Sequence, residues 1–286
     1  IEKFDVPEYS DSIYLKNLNK LQTLGCFFNN LGNVYLDIGD LEMAQLALER
    51  AVEINPDLAE TRTNLGNVYL RLGQTDQAIR QYKAALAINS EQATTHNNLG
   101  NAYFRLGRLG KAILNYERAR LLIPRDADLD FNLGQARARV VDMAPESGTF
   151  VDSAFFWVDS LSLREAFLGF AVLNVIFWGL LLIRLSVRSE WSYYAVLLVL
   201  VFWLLAGISF GLKWYRVSWD HRAVVLEREV PVRAGPEEGD TVLFNLHEGT
   251  VVVRERNEGS WSLISLGDQR RGWLPTRSVE GIKGGY

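Results

Sequence analysis

The sequence predicts a multidomain membrane protein in which an α-solenoid, a transmembrane helical hairpin and a small β barrel follow one another. Three observations carry this reading. A period of 34 residues runs through the first half, with Gly32, Gly66 and Gly100 at equal steps. Two uncharged stretches, residues 166–183 and 191–212, stand back to back behind it. The remaining residues break into short β-prone runs separated by Gly, Pro and charged turns.

The repeat is the strongest of the three. Tyr35, Tyr69 and Tyr103 keep the same step, as do Ala44, Ala78 and Ala112, and Ala51, Ala85 and Ala119. Each copy reads as two helices. Small residues on the first (Gly32, Gly66, Gly100) and second (Ala44, Ala78, Ala112) are expected where the helices cross, since bulk there would force them apart. Gly39, Gly73 and Gly107 supply the turn between helices, where a left-handed backbone costs glycine little. Pro56 and Pro124 fall near the repeat boundaries, as helix terminators should, with Ser90 in that place in the middle copy. The pattern resembles the tetratricopeptide repeat, with copies at about 25–58, 59–92 and 93–126. A further stretch, "DADLDFNLGQARARVVD", reads as a capping helix at roughly 127–142. Leucines at 15, 18, 21 and 24 suggest a leading helix or partial repeat over 10–23.

The inner surface of the repeats is the candidate binding groove. Asn33, Asn67 and Asn101 share one repeat position, Asn30, Asn64 and Asn98 another, and Asn29, Thr63 and Asn97 a third. Asparagine is a modest helix former, so propensity does not explain the ladder. An amide carries both donor and acceptor and can hold the backbone of an extended peptide, or can bond between adjacent repeats. Arg71 and Arg105 add attraction for an acidic group, with Asp37 in their place in the first copy. The candidate groove is therefore Asn29, Asn33, Asn67, Arg71, Asn97, Asn101 and Arg105. Tetratricopeptide domains that clamp C-terminal carboxylates pair such asparagines with lysines. No lysine stands at 29, 63 or 97, which argues against that clamp.

At 1.5 Å per residue the first uncharged stretch spans about 27 Å, close to the roughly 30 Å of hydrocarbon in a bilayer. Trp191, Tyr193 and Tyr194 at one end of the second stretch, and Trp214 and Tyr215 beyond the other, form the expected interfacial belt. Asn174 is the strongly polar residue of the first span and the candidate membrane contact, able to bond to the facing helix or to a partner's helix. No Asp, Glu, Lys, Arg or His lies inside either span, which argues against an ion pathway. A hairpin places both soluble parts on one side of the membrane. Charge flanking decides the side weakly. The chain starts at Ile1, which fits processing or an incomplete N-terminus, and together with the nature of the last domain this points to the extracytoplasmic side.

Behind the hairpin, expected strands lie at 223–227, 230–233, 241–246, 250–256, 260–265 and 271–274, with "SVEGI" as a turn and last strand. "VPVRAGP", "VLFNLHEGT", "WSLISL" and "RRGWLP", in that order, resemble the bacterial SH3 domain. The resemblance implies binding of cell-wall peptide or protein. Trp261 and Trp273 are the candidate surface, with core packing as their alternative role.

Composition narrows the function. With 30 Lys and Arg against 34 Asp and Glu, and no concentrated basic face, a nucleic-acid role is disfavoured. A single cysteine, Cys26, excludes a disulfide framework. His96, His221 and His247 are scattered among unlike elements, and no phosphate-binding glycine loop occurs. The chain reads as a non-enzyme with no catalytic, cofactor or metal residues.

The order of parts divides the chain into a leading segment (1–24), repeats with a cap (25–145), a linker (146–162), the hairpin (163–215) and the SH3-like domain (216–286). That order, with "NLGQARAR" before the linker, resembles BatE-like proteins of bacterial aerotolerance systems. The resemblance implies a scaffold at the inner membrane, both soluble domains in the periplasm. Its implied partners are membrane proteins with von Willebrand factor A domains and a MoxR-type AAA+ ATPase. A peptidoglycan-binding anchor and an auxiliary subunit of a membrane enzyme are the alternatives.

Overall fold

A computed structural model describes residues 20–142, 150–187 and 189–283. Most of the leading segment, including Leu15 and Leu18, and part of the linker lie outside the described residues. The chain divides into two compact units, Ile1–Leu106 and Gly107–Tyr286.

The first unit is helical: α1 (Lys20–Ile38), α2 (Leu41–Ile54), α3 (Ala59–Arg71), α4 (Thr75–Ile88) and α5 (Ala93–Arg105). Its turns follow from single residues. Gly39 and Gly73 take positive φ of 83° and 77°. At the first, Asp40 N donates to Tyr35 O at 2.9 Å; at the second, Gln74 N donates to Tyr69 O at 2.8 Å. These bonds satisfy carbonyls left open at the helix ends. Asp40 then caps α2, accepting from Met43 N at 3.1 Å. The glycine positions within the first helices face a large side chain one turn beyond the expected alanines. A Cβ on Gly32 would stand 2.5 Å from Leu48 Cγ, and one on Gly66 2.5 Å from Tyr82 Cε1. Ala44 and Ala78 are themselves fully buried. The small residue thus makes room for Leu48 and Tyr82, both fully buried, rather than for a bare backbone crossing.

The second unit continues with α6 (Leu109–Leu122) and α7 (Ala127–Arg137). A short α8 (Phe150–Ala154) and a 3-10 turn (Phe156–Val158) lead to α9 (Leu163–Ser186) and α10 (Glu190–Ser218). Ser162 and Glu165 form a reciprocal capping box that starts α9: Ser162 Oγ accepts from Glu165 N at 3.2 Å and Glu165 Oε2 accepts from Ser162 N at 2.8 Å. Helices α9 and α10 are long and apolar enough to cross a membrane, and only 6% of each apolar window is buried. They pack on each other through aromatic rings. Phe177 stacks on Trp203 with centroids 5.3 Å apart, and Phe170 on Phe210 at 6.0 Å. Gly207 gives Phe170 its place, a Cβ there standing 3.2 Å from the ring, whereas Gly179 has nothing within 4 Å. Helix α10 continues six residues past the expected span, because Lys213 and Arg216 end the apolar run without ending the helix.

Among the described residues seven strands follow: β1 (Arg222–Val225), β2 (Glu229–Arg233), β3 (Val242–His247), β4 (Val251–Glu258), β5 (Trp261–Ser265), β6 (Arg271–Pro275) and β7 (Val279–Gly281). They form one sheet in the order β3-β2-β6-β5-β4-β1-β7, antiparallel at every pairing. Among the described residues β3 and β7 end that order and do not pair with each other, so what is seen is a sheet rather than the expected closed barrel. Its core gathers Val230, Val232, Leu246, Ile264 and Leu274 with Ala223 and Val225 of β1. Val224, which alternates to the other face of β1, is fully buried as well. A strand covered on both faces reads as the unbroken apolar run "AVVL" seen here. The second cover is α6, which packs on β1.

Candidate interaction surfaces

In the first unit the asparagine ladder bonds between repeats. Asn64 Nδ2 donates to Asn29 Oδ1 at 3.2 Å, and Asn98 Nδ2 donates to Asn67 Oδ1 at 2.9 Å. Asn67 Oδ1 also accepts from Tyr82 Oη at 2.8 Å. Asn29 is 5% exposed, while Asn33, Asn67, Asn97 and Asn101 are half-buried. Asn97 and Asn101 also have interacting neighbours. Asn33 differs from Asn67 for a reason written in the repeat: the residue one period before Tyr82 is Leu48, which brings no hydroxyl.

The two arginines show the same periodic logic. Arg71 Nη1 donates to Leu36 O at 2.9 Å, and Arg105 Nη1 donates to Leu70 O at 3.2 Å. Each ties its helix to the end of the preceding first helix. Both guanidinium groups stay exposed, and a guanidinium carries five N–H donors. They can serve the repeat stack and an acidic ligand together. Tyr69 donates its hydroxyl to Glu49 Oε1 at 2.8 Å. Burial first, then this bond to a carboxylate, pushes its phenol up to about 12.

In the second unit, Trp273 is 6% exposed and lies under the Arg256 guanidinium, 5.1 Å from the ring centroid. It belongs to the packed interior of the sheet rather than to an open face. Trp261 is half-buried on β5, where it pairs with Glu258 and Pro275. The sheet therefore brings the two tryptophans onto neighbouring strands but exposes neither fully. Asn174 is half-buried on α9, between Phe170 and Phe177.

The densest polar cluster is one that sequence reasoning missed. Glu117 on α6 is fully buried and meets three arginines: Arg137 on α7 at 2.5 Å, Arg120 at 2.9 Å and Arg222 on β1 at 3.5 Å. Beside it Arg118 donates to the carbonyls of Gly281 and Ile282, each at 2.9 Å, and to Glu280 at 2.9 Å, covering the end of β7. Asp142 Oδ2, just beyond α7, accepts from His247 N at 2.7 Å and lies 2.9 Å from its Nδ1. Gly110 N donates to Glu248 Oε1 at 2.9 Å. A Cβ at Gly110 would stand 2.4 Å from Val225 O, so only glycine admits β1 this close. The positions one and two periods earlier are Asp76 and Glu42. That loss of a charged side chain is the readable signal for the junction; Glu117 itself left none.

Family models agree with the repeat geometry. A model described as TPR repeat matches residues 32–73 and 66–107, and one described as tetratricopeptide repeat matches 93–126. Residues 32–126 are tetratricopeptide repeats. No curated protein matches the chain in sequence. Among solved structures, the first TPR of Spaghetti (RPAP3) bound to the HSP90 peptide SRMEEVD is 23% identical, with a TM-score of 0.40, over 41% of this chain and 95% of that one. The Arabidopsis OM64 TPR domain is 18% identical, with a TM-score of 0.41, over 42% and 99%. The crystal structure of MamA is 28% identical, with a TM-score of 0.39, over 42% and 68%. Tetratricopeptide repeats are characteristically non-catalytic scaffolds. Among the described residues no group of three or more His, Cys, Asp or Glu is placed to hold a metal ion.

Proposed function

We propose that the chain is a non-enzymatic, membrane-anchored scaffold. It presents a tetratricopeptide groove and an SH3-like sheet on one side of a bilayer. The observation that carries this reading is the pair α9 and α10. Two adjacent apolar helices, 24 and 29 residues long and with only 6% of each apolar window buried, stand in sequence between the repeat helices and the β sheet. Bare apolar surface on this scale is unfavourable in water and neutral in lipid. A hairpin returns the chain to the side it left, so both modules meet the same compartment. We assign that compartment to the periplasm of a bacterial inner membrane, because the β module resembles the bacterial SH3 domain.

Within this reading the repeats bind an extended, acidic segment of a protein partner. Arg71 and Arg105 supply the charge, and the half-buried amides of Asn33, Asn97 and Asn101 supply hydrogen bonds. The resemblance to BatE-like proteins names the partner class: membrane proteins with von Willebrand factor A domains, with an associated MoxR-type ATPase. Gentle solubilisation of the full chain, followed by identification of stably copurifying proteins, tests this. Recovery of that class, weakened by Arg71→Ala with Arg105→Ala, is expected. Recovery of neither the von Willebrand-domain proteins nor the ATPase contradicts the assignment.

A further inference from the structure

Between the repeats and the hairpin, residues 150–159 lie along the end of α10. Arg216 holds both ends of this segment: its Nη2 bonds Asp152 at 2.5 Å and its Nη1 bonds Asp159 at 2.6 Å. Between these acids the segment reaches toward the interior of α10, where Trp157 Nε1 donates to Ser209 Oγ at 3.1 Å. Ser209, Lys213 and Arg216 follow an i, i+4, i+7 spacing and so share one face of the helix. Ser209 stands about 10 Å before Arg216 along that face. The same face is where α10 is covered, Ser209 being 6% exposed although most of the helix is bare. Val158 is fully buried in this contact, while Phe156 is 72% and Phe150 86% exposed.

We infer that residues 150–158 form an aromatic wedge that inserts into the acyl-chain boundary of one leaflet, with the Arg216–Asp152–Asp159 clamp at headgroup level. The occupant of the exposed face is lipid, for two reasons. Trp157 bonds Ser209, which lies inside the uncharged stretch 191–212 of α10, a helix whose apolar window is only 6% buried. The segment's two carboxylates, Asp152 and Asp159, both meet Arg216, which lies beyond the uncharged stretch, while Phe150 and Phe156 stay exposed. Trp157 has the amphipathic form suited to that depth, an apolar ring whose one N–H is already bonded. Phe150 and Phe156 would bury apolar area in the interface as surface-bound segments do. The inference rests on the hairpin crossing the bilayer, and it adds a third membrane contact that fixes the hairpin's depth beside the two modules.

The test uses the full chain in nanodiscs of phosphatidylcholine and phosphatidylglycerol. In a Cys26→Ser background, Phe156→Cys and Leu198→Cys are each labelled with an environment-sensitive fluorophore. Nitroxide lipids quench from near the headgroup or near the chain terminus, and iodide quenches from water. At position 156, shallow nitroxide is expected to quench about twofold more than deep nitroxide, with little effect of iodide; at 198 the order reverses. Adding Arg216→Gln is expected to restore iodide quenching at 156 and leave 198 unchanged. Strong iodide quenching at 156 with lipid quenching retained at 198 overturns the wedge while the hairpin stands. Iodide quenching at 198 overturns the hairpin, and the wedge with it.

Discussion

Glu117 on α6 and Arg222 on β1 stand 105 residues apart in sequence and 3.5 Å apart in the fold. Arg137 approaches the same carboxylate at 2.5 Å, so one buried acid ties α6, α7 and the sheet. Glu117 is the fully buried member, while Arg120, Arg137 and Arg222 keep 29%, 30% and 31% of their side chains exposed. Glu117→Gln, which weakens its charge-assisted bonds to partly exposed arginines, is therefore expected to destabilise the second unit by about 1–3 kcal/mol. Chemical denaturation in detergent, followed by fluorescence, reads this directly, and faster proteolysis near β1 should accompany it.

Two glycines on neighbouring helices should respond in opposite directions. Gly110→Ala drives a methyl against the Val225 carbonyl, a backbone atom that cannot swing away. A loss of about 1–3 kcal/mol is expected. Gly134 on α7 has nothing within 4 Å. There alanine stabilises the helix by roughly 0.5–1 kcal/mol. Thermal melts of the two variants, compared side by side, check the contrast.

The asparagine ladder separates stability from binding. Asn67→Ala removes the acceptor of both Tyr82 Oη and Asn98 Nδ2, and should cost about 1–3 kcal/mol. Asn33 has Leu48 in place of that tyrosine. Asn33→Ala is expected to leave the melting transition within about 0.5 kcal/mol of the parent. Partner affinity, measured on a folded variant, should fall for Asn33→Ala even so.

Alkaline pH probes the buried phenols. Burial, with the Glu49 carboxylate second, raises Tyr69 to about 12, and burial alone raises Tyr116 to about 12. Tyr82 moves upward too, for the same reason. An acid raised in the folded state stabilises fully below its unfolded value near 10, and that contribution drains as pH climbs toward 12. Helicity followed by circular dichroism should hold to about pH 10 and decline above it. Tyr69→Phe should flatten the decline.

Periodicity made the repeats legible, because a residue type recurring at 34-residue steps reports a shared position without any knowledge of contacts. The turns at Gly39 and Gly73 follow from the same signal, each adopting the left-handed backbone that only glycine takes cheaply. Apolar length exposed α9 and α10, although their ends did not show, since the charges of Lys213 and Arg216 mark where an apolar run stops and not where a helix does. The burial of Glu117 was not legible. It depends on α7 and β1 arriving from 20 and 105 residues away, and no local pattern records that. Trp273 illustrates the converse: an aromatic in a small β module reads as surface or as strand packing, and here it is 6% exposed, beneath the Arg256 guanidinium.

The proposed hairpin requires the two soluble modules to share one side of the bilayer, and cysteine labelling in intact spheroplasts tests this most directly. In the Cys26→Ser background, Asp57→Cys reports on the repeats, Glu238→Cys on the sheet and Ser189→Cys on the link between α9 and α10. An impermeant maleimide added outside should label positions 57 and 238, and reach 189 only after the membrane is opened. Labelling of 57 and 238 from opposite sides would contradict the hairpin and the scaffold built on it.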